Sequence, residues 1–186
     1  MFHVITGGSG SGKSAYAEAC IVQLHKKHSL YYIATMMPFG KEMEAKIDRH
    51  RRMRAGKGFE TVECFNDLHL TTEKFFDKAP DVLLECMSNL VANEWFDFVQ
   101  KNESEECFTK ESMEQVIEKI WQGVQLLQEC CEHLVIVTNE VFSDGARDTV
   151  EMYCYKQILA EINRKMAAVA DKVTEVVYGI PVKVKE

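Results

Sequence analysis

Eight residues near the start of the chain, Gly7-Gly8-Ser9-Gly10-Ser11-Gly12-Lys13-Ser14, constrain its fold more than any other stretch. They satisfy the P-loop pattern of Gly, four residues, then Gly-Lys-Ser. The motif needs a strand before it and a helix after it. Phe2-His3-Val4-Ile5-Thr6 reads as a short buried strand, and Ala15 to His28 reads as a helix with Ala17, Cys20, Ile21 and Leu24 on one face. Glycines let the main chain approach phosphate oxygens, and the loop amides with the helix N-terminus then point at the anion. In such a loop Gly7, Gly8, Ser9, Gly10, Ser11 and Gly12 cradle the phosphates of a nucleoside triphosphate. Lys13 would lie along the β- and γ-phosphates, and the Ser14 hydroxyl would ligate Mg²⁺.

Strand and helix patterns alternate through the rest. Leu30 to Ala34 is a second strand, and Pro38 and Gly40 break the chain before a helix over Lys41 to Arg54. Met43, Ile47, His50 and Arg54 share one stripe of that helix at spacings of four, three and four. Glu60 to Glu63 is a short strand, Phe65 to Asp77 is expected to be helical, and Asp81 to Cys86 is a core strand. Ser88-Asn89 is placed to cap the helix through Leu90, Val91 and Trp95. Lys101 to Glu106 is polar and acidic and reads as a mobile loop. Ser112 to Glu129 is an amphipathic helix with Val116, Ile120, Val124 and Leu127 inward, and Leu134 to Val137 is a further strand. A loop around Ser143-Asp144-Gly145 leads to a long helix, Thr149 to Ala170, with Ile158, Ile162, Met166 and Val169 inward. Val173 to Tyr178 and Val182 to Val184 close the chain as paired strands around Gly179-Ile180-Pro181. The pattern predicts an α/β fold of the P-loop NTPase type, three layers deep, with a largely parallel sheet and helices on both faces. No repeat or linker divides residues 1–186, so one nucleotide-binding domain is expected.

Composition excludes several classes. A net charge of −7 argues against a nucleic-acid partner, and no apolar run reaches the length of a membrane span. The N-terminus enters a strand directly, without signal-peptide architecture. Seven cysteines, an odd number without a Cys-x-x-Cys pair, read as reduced packing thiols in a cytoplasmic protein, the adjacent Cys130 and Cys131 included. His3, His25, His28, His69 and His133 show no metal-ligand spacing, so no structural zinc is expected. Trp95, Trp121, Phe96 and Phe98 read as core or interface packing.

The carboxyl ends of parallel strands build the site in such a sheet. Thr35, Glu85, Asn139 and Glu140 fall there, on the P-loop edge. Glu85 ends a buried strand where P-loop proteins place the acid that helps hold Mg²⁺. The segment from Lys41 to Lys57 carries seven basic and three acidic residues, a local reversal of sign. Within it His50 stands among Arg49, Arg51, Arg52 and Arg54. Positive neighbours favour the neutral imidazole, which is a nucleophile toward phosphorus, while arginines neutralise phosphate charge. By spacing alone, a satisfied histidine beneath a solvated basic helix is the commoner case.

These residues together resemble the bifunctional adenosylcobinamide kinase/adenosylcobinamide-phosphate guanylyltransferase family. The resemblance covers nearly the whole chain. It runs from the P-loop and Ala17-Glu18 through Tyr32-Ile33-Ala34-Thr35, Glu42-Met43, Lys46-Ile47-Asp48-Arg49-His50-Arg51 and Glu60-Thr61-Val62-Glu63. Leu83-Leu84-Glu85-Cys86, Val137-Thr138-Asn139-Glu140-Val141, Asn163, Ala170-Asp171 and Gly179 complete it. The resemblance implies a P-loop α/β sheet, trimeric assembly, Mg²⁺, and GTP or ATP as substrates. It implies that the aminopropanol hydroxyl of adenosylcobinamide is phosphorylated, and that GMP passes from GTP through a guanylyl-histidine to the phosphate, giving adenosylcobinamide-GDP. The nucleophile falls on His50, with Lys13 at the transferred phosphates. Ala34, Thr35, Arg51, Arg54, Glu63 and Glu85 become candidate nucleotide contacts.

Two stretches depart from the family pattern. Phe142-Ser143-Asp144-Gly145-Ala146-Arg147 stands where the family has Gly-x-Gly-Ile-Val-Pro. Where the family has an Arg, Phe-Arg-Asp, a Gly and Asn-Gln, the chain reads Tyr153, Tyr155-Lys156-Gln157, Ala160 and Asn163-Arg164, keeping only the asparagine. A P-loop small-molecule kinase, with kinase activity only or a changed substrate, is therefore the alternative reading.

Overall fold

A computed structural model describes residues 1–38, 40–75, 78–102, 107–142 and 148–186, with only the backbone of residues 42 and 46. The strands are β1 (Phe2–Thr6), β2 (Leu30–Ala34), β3 (Glu60–Glu63), β4 (Asp81–Glu85), β5 (His133–Val137), β6 (Lys172–Val177) and β7 (Ile180–Lys185). The helices are α1 (Lys13–Leu24), α2 (Gly40–Arg54), α3 (Met87–Asn102), α4 (Lys110–Cys130) and α5 (Val150–Val169). The strands form one sheet in the order β3-β2-β4-β5-β1-β6-β7. Every pairing is parallel except β6 with β7.

Side chains alternate across a strand, so each central strand feeds two cores. Val82 and Leu84 of β4 and Leu134 and Ile136 of β5 pack with α3, α4 and α5 on one face. Leu83, Val135, Val137 and Ile5 meet Ala17 and Ile21 of α1 on the other. That double coverage explains the unbroken apolar runs of β4 and β5. Trp95 is fully buried, Phe98 and Trp121 lean on the same core, and Phe96 is exposed.

Helix ends follow local chemistry. Thr109 caps α4 by accepting from the Ser112 amide at 3.1 Å, and Thr149 caps α5 by accepting from Met152 at 3.2 Å. α1 stops at Leu24 instead of reaching His28, because His25 is extended and its Nδ1 lies 2.9 Å from Asp81 Oδ2. His133 Nδ1 meets the other oxygen of the buried Asp81 at 2.7 Å, so two histidines far apart in sequence share one carboxylate.

Four further expectations are corrected. The helix expected over 65–77 is only a 3-10 helix, Leu68–Lys74. Asn93 Nδ2 binds the Phe65 carbonyl at 2.9 Å, the group a helix starting there would use itself; residues 76 and 77 lie outside the described residues. Ser88 and Asn89 sit inside the first turn of α3 and do not cap it. The Ser88 hydroxyl accepts instead from Asn139 Nδ2 at 2.6 Å. Val169 is exposed, because the buried stripe of α5 ends at Met166 and the chain turns extended at Ala170. The closing hairpin turns at Tyr178-Gly179, with Ile180 and Pro181 already in β7.

Lys101 and Asn102 belong to α3, while residues 103–106 and the loop at 143–147 lie outside the described residues. Among the described residues, no helix is long and apolar enough to cross a membrane.

Candidate active site

The loop between β1 and α1 carries the geometry that its glycines permit. Gly7 has φ 153°, and a Cβ there would stand 2.5 Å from the Val176 carbonyl oxygen. Gly12 is left-handed at φ 91° and opens α1. The Gly179 amide donates to the Ser11 carbonyl at 2.8 Å, which ties the β6–β7 turn to the loop. Lys13 folds back so that its Nζ donates to the Gly8 carbonyl at 2.9 Å. Burial holds its ammonium below the usual lysine range, against the opposing pull of Cys86 and Glu85.

Glu85, the last residue of β4, is the hub. Its Oε1 accepts from the Ser14 hydroxyl, and its Oε2 accepts from Tyr32 OH at 3.0 Å. Burial, and then the Glu85 charge, push the Tyr32 phenol well above its ordinary range, so Tyr32 stays a donor. Arg54 packs on the Tyr32 ring, 3.4 Å from guanidinium carbon to centroid. That contact fastens the last turn of α2 to β2. One turn earlier His50 Nδ1 reaches 3.6 Å from Glu85 Oε1, outside hydrogen-bond range.

The charge nearest His50 in sequence is not the charge nearest in space. Arg49, Arg51 and Arg52 are exposed, and Arg51 approaches Glu63 at 3.7 Å and Asp48 at 3.8 Å. The charged groups found near the His50 ring are the carboxylates of Glu85 and Glu18.

A cavity of about 320 Å³ opens beside α2. Tyr32, Ala34, Ile47, His50, Arg51, Arg54, Glu63 and Glu85 are among its lining residues, and the loop from Gly7 to Ser14 is not. The P-loop and the cavity thus adjoin, with Glu85 and His50 at their boundary. The fold gathers Lys13, Ser14, His50, Arg54 and Glu85 at this junction and leaves Arg51 and Glu63 on the cavity's exposed rim. Ser9 and Gly10 face solvent at the loop's tip. Thr35 sits behind the site: its hydroxyl donates to the Cys86 carbonyl at 2.8 Å and accepts from the Cys86 amide at 2.7 Å, locking the ends of β2 and β4 together.

Three contributors escaped sequence reasoning. Tyr32 reads only as part of a strand and of the family resemblance, and Lys57 only as the end of a basic segment. Glu18 is fully buried on α1, one turn after Ser14, and its Oε2 accepts from Lys57 Nζ at 2.6 Å. An acid four residues past the P-loop serine, next to the inward Ala17, was the available signal. The oxygens of Ser14 and Glu85 touch beside Lys13. Such a set of hard oxygen donors fits Mg²⁺.

Loop, sheet and site define the class: an α/β protein of the P-loop NTPase type. A solved structure, a prototypical ATPase from the type III secretion system of pathogenic bacteria, shares the fold at a TM-score of 0.57 and 10% identity, over 94% of this chain and 51% of that one. A sequence profile for cobinamide kinase / cobinamide phosphate guanyltransferase matches residues 3–184. Two relatives, each described as bifunctional adenosylcobalamin biosynthesis protein CobU, align over 100% of both chains. The one from Salmonella typhimurium is 36% identical and the one from Escherichia coli 34%. The chain belongs to the cobinamide kinase / cobinamide phosphate guanyltransferase family.

Proposed function

We propose that this chain phosphorylates the hydroxyl of adenosylcobinamide from a nucleoside triphosphate, GTP or ATP, and then transfers GMP from GTP to the phosphate through His50. The observation that carries this reading is the approach of His50 to Glu85, whose carboxylate also accepts from the P-loop serine and from Tyr32. A nucleophile of one helix thereby shares a carboxylate with a phosphate-binding loop.

In the kinase step Lys13 gives up the Gly8 carbonyl for the γ-phosphoryl oxygens, and the substrate oxygen displaces the nucleoside diphosphate. Ser14 and Glu85 are the residues that would hold Mg²⁺, which when bound neutralises phosphate charge. In the guanylyl step a ring nitrogen of His50 attacks the α-phosphorus. A P–N bond forms, the bond to the bridging oxygen breaks, and pyrophosphate leaves. Arg54 and Arg51 stand at the cavity wall to balance the charge of the α-phosphate. The cobinamide phosphate oxygen then attacks the same phosphorus, the P–N bond breaks, and adenosylcobinamide-GDP forms. Ala34 and Glu63 are proposed guanosine contacts, and Thr35 a support for Glu85 and Cys86.

The same reading takes residues 1–186 as one nucleotide-binding domain, working as a homotrimer in the cytoplasm. All seven cysteines are free, which suits a reducing setting. The alternative, a kinase only or a kinase of changed substrate, is favoured by one observation. Tyr153 is more than half exposed where the family pattern carries an arginine.

The deciding experiment is the intact mass of the protein after incubation with GTP and Mg²⁺. A gain of one guanylyl group, lost in acid, stable in base and absent from His50→Ala, is expected. No gain, or an equal gain in His50→Ala, overturns the guanylyl step and leaves the kinase reading.

A further inference from the structure

Glu18, His50 and Glu85 come from α1, α2 and the end of β4, yet each presents a ligand atom within 4.8 Å of the other two. Two atoms of this group, Glu18 Oε1 and His50 Nδ1, are buried and have no hydrogen-bond partner. Buried polar atoms are rarely left so, and both orphans belong to this three-residue group. Glu18 is fully buried, and only its Oε2 is used, by Lys57 at 2.6 Å. His50 Nδ1 and Glu85 Oε1 stand 3.6 Å apart. That is long for a hydrogen bond. It is close to the span of about 3.4 Å between two donors on a tetrahedral ion with bonds of about 2.1 Å.

The donor set selects the ion. Two carboxylates and an imidazole suit a first-row divalent transition ion such as Zn²⁺ or Co²⁺, whereas Mg²⁺ prefers oxygen donors alone. Tyr32 on Glu85 and Lys57 on Glu18 already hold the two carboxylates from behind, as outer partners of metal ligands do. We propose that Glu18, His50 and Glu85 bind one first-row divalent transition ion, and that this ion and the guanylyl group exclude one another at His50. A neutral imidazole has one ring nitrogen with a free lone pair. Ligation occupies the pair that the P–N bond needs. The exclusion rests on the guanylyl-transfer reading; the metal site does not.

The test begins with chelator-treated full-length protein, without nucleotide. Co²⁺ is titrated by visible absorption and Zn²⁺ by equilibrium dialysis. One equivalent is expected, with affinity at least tenfold weaker in Glu18→Gln and in His50→Asn. It should be unchanged when Cys130 and Cys131, whose sulfurs lie 3.6 Å apart and form the rival soft-ligand pair, are both replaced by serine. Substoichiometric binding, binding lost only with the cysteines, or equal affinity in His50→Asn overturns the site. Should Glu18→Gln not fold by circular dichroism, His50→Asn decides alone. In a second arm, guanylylated protein should show no Co²⁺ band. A protein carrying both groups refutes the exclusion. Absence of any guanylyl adduct refutes the transfer reading and leaves the Co²⁺ result standing.

Discussion

The guanidinium carbon of Arg54 lies 3.4 Å from the centroid of the Tyr32 ring, while Tyr32 OH donates to Glu85 at 3.0 Å. One aromatic ring therefore couples the end of α2 to the carboxylate at the P-loop. The position of His50, one turn before Arg54, depends on that coupling. Arg54 Nη1 is buried without a partner, which leaves a donor free for substrate.

Replacing Arg54 with lysine removes the planar stack and the free donor while keeping charge. A hydrogen bond lost to substrate is worth about 0.5–1.5 kcal/mol, so KM for GTP in adduct formation should rise roughly two- to tenfold. Steady-state labelling of the protein against GTP concentration measures it. An unchanged KM would mean that Arg54 only packs.

Lys13→Ala should lower phosphoryl transfer by at least about a hundredfold, because it removes a cation aimed at developing charge. The variant should melt near the wild-type temperature, since it also relieves a buried ammonium held below its usual range. Turnover and a thermal melt on one preparation separate the two effects. Normal turnover would refute the phosphate role.

Burial, with Lys172 adding to it, pushes the His3 imidazole from 6.5 down to about 4. The unfolded chain therefore takes up this proton below pH 6.5, and the folded chain only near pH 4. Stability from this group is complete above pH 6.5 and is lost as pH falls toward 4, by up to about 3 kcal/mol. His3→Gln cannot titrate. Its denaturation midpoint should fall less steeply than wild type over that window, and parallel curves would contradict the assignment.

Gly123 lies where α4 crosses the 3-10 helix, and a Cβ there would stand 2.8 Å from Leu68 Cβ and 3.0 Å from the His69 amide nitrogen. Gly123→Ala should cost about 1–3 kcal/mol through overpacking. Adding Leu68→Ala should return part of that loss, a coupling a double-mutant cycle reads directly. Strict additivity would show that the contact is not the cause.

Much of the architecture is written in local pattern. The apolar run Val82, Leu83 and Leu84 predicted a core strand, and Val116, Ile120, Val124 and Leu127 predicted the buried stripe of α4. Both follow from short-range pattern, a short apolar run and a period of 3.6 residues, which need no knowledge of the partner. The segment over 65–77 failed because the Asn93 amide, from another element, takes the carbonyl that a helix needs.

The P-loop motif and the parallel α/β order were legible along the chain. A contiguous motif and a periodicity are properties of neighbours along the chain. Only the tertiary structure decided which charges meet. Glu18 at full burial, the Lys57 that pairs it, and the Glu85 carboxylate touching Ser14 and facing His50 join residues 35 to 71 positions apart. The arginines beside His50 in sequence point elsewhere, since a helix spreads successive side chains around its axis and sends most of a basic run to water. Electrostatics falls off with distance in space, so the environment of His50 becomes defined only when α1, α2 and β4 are packed together.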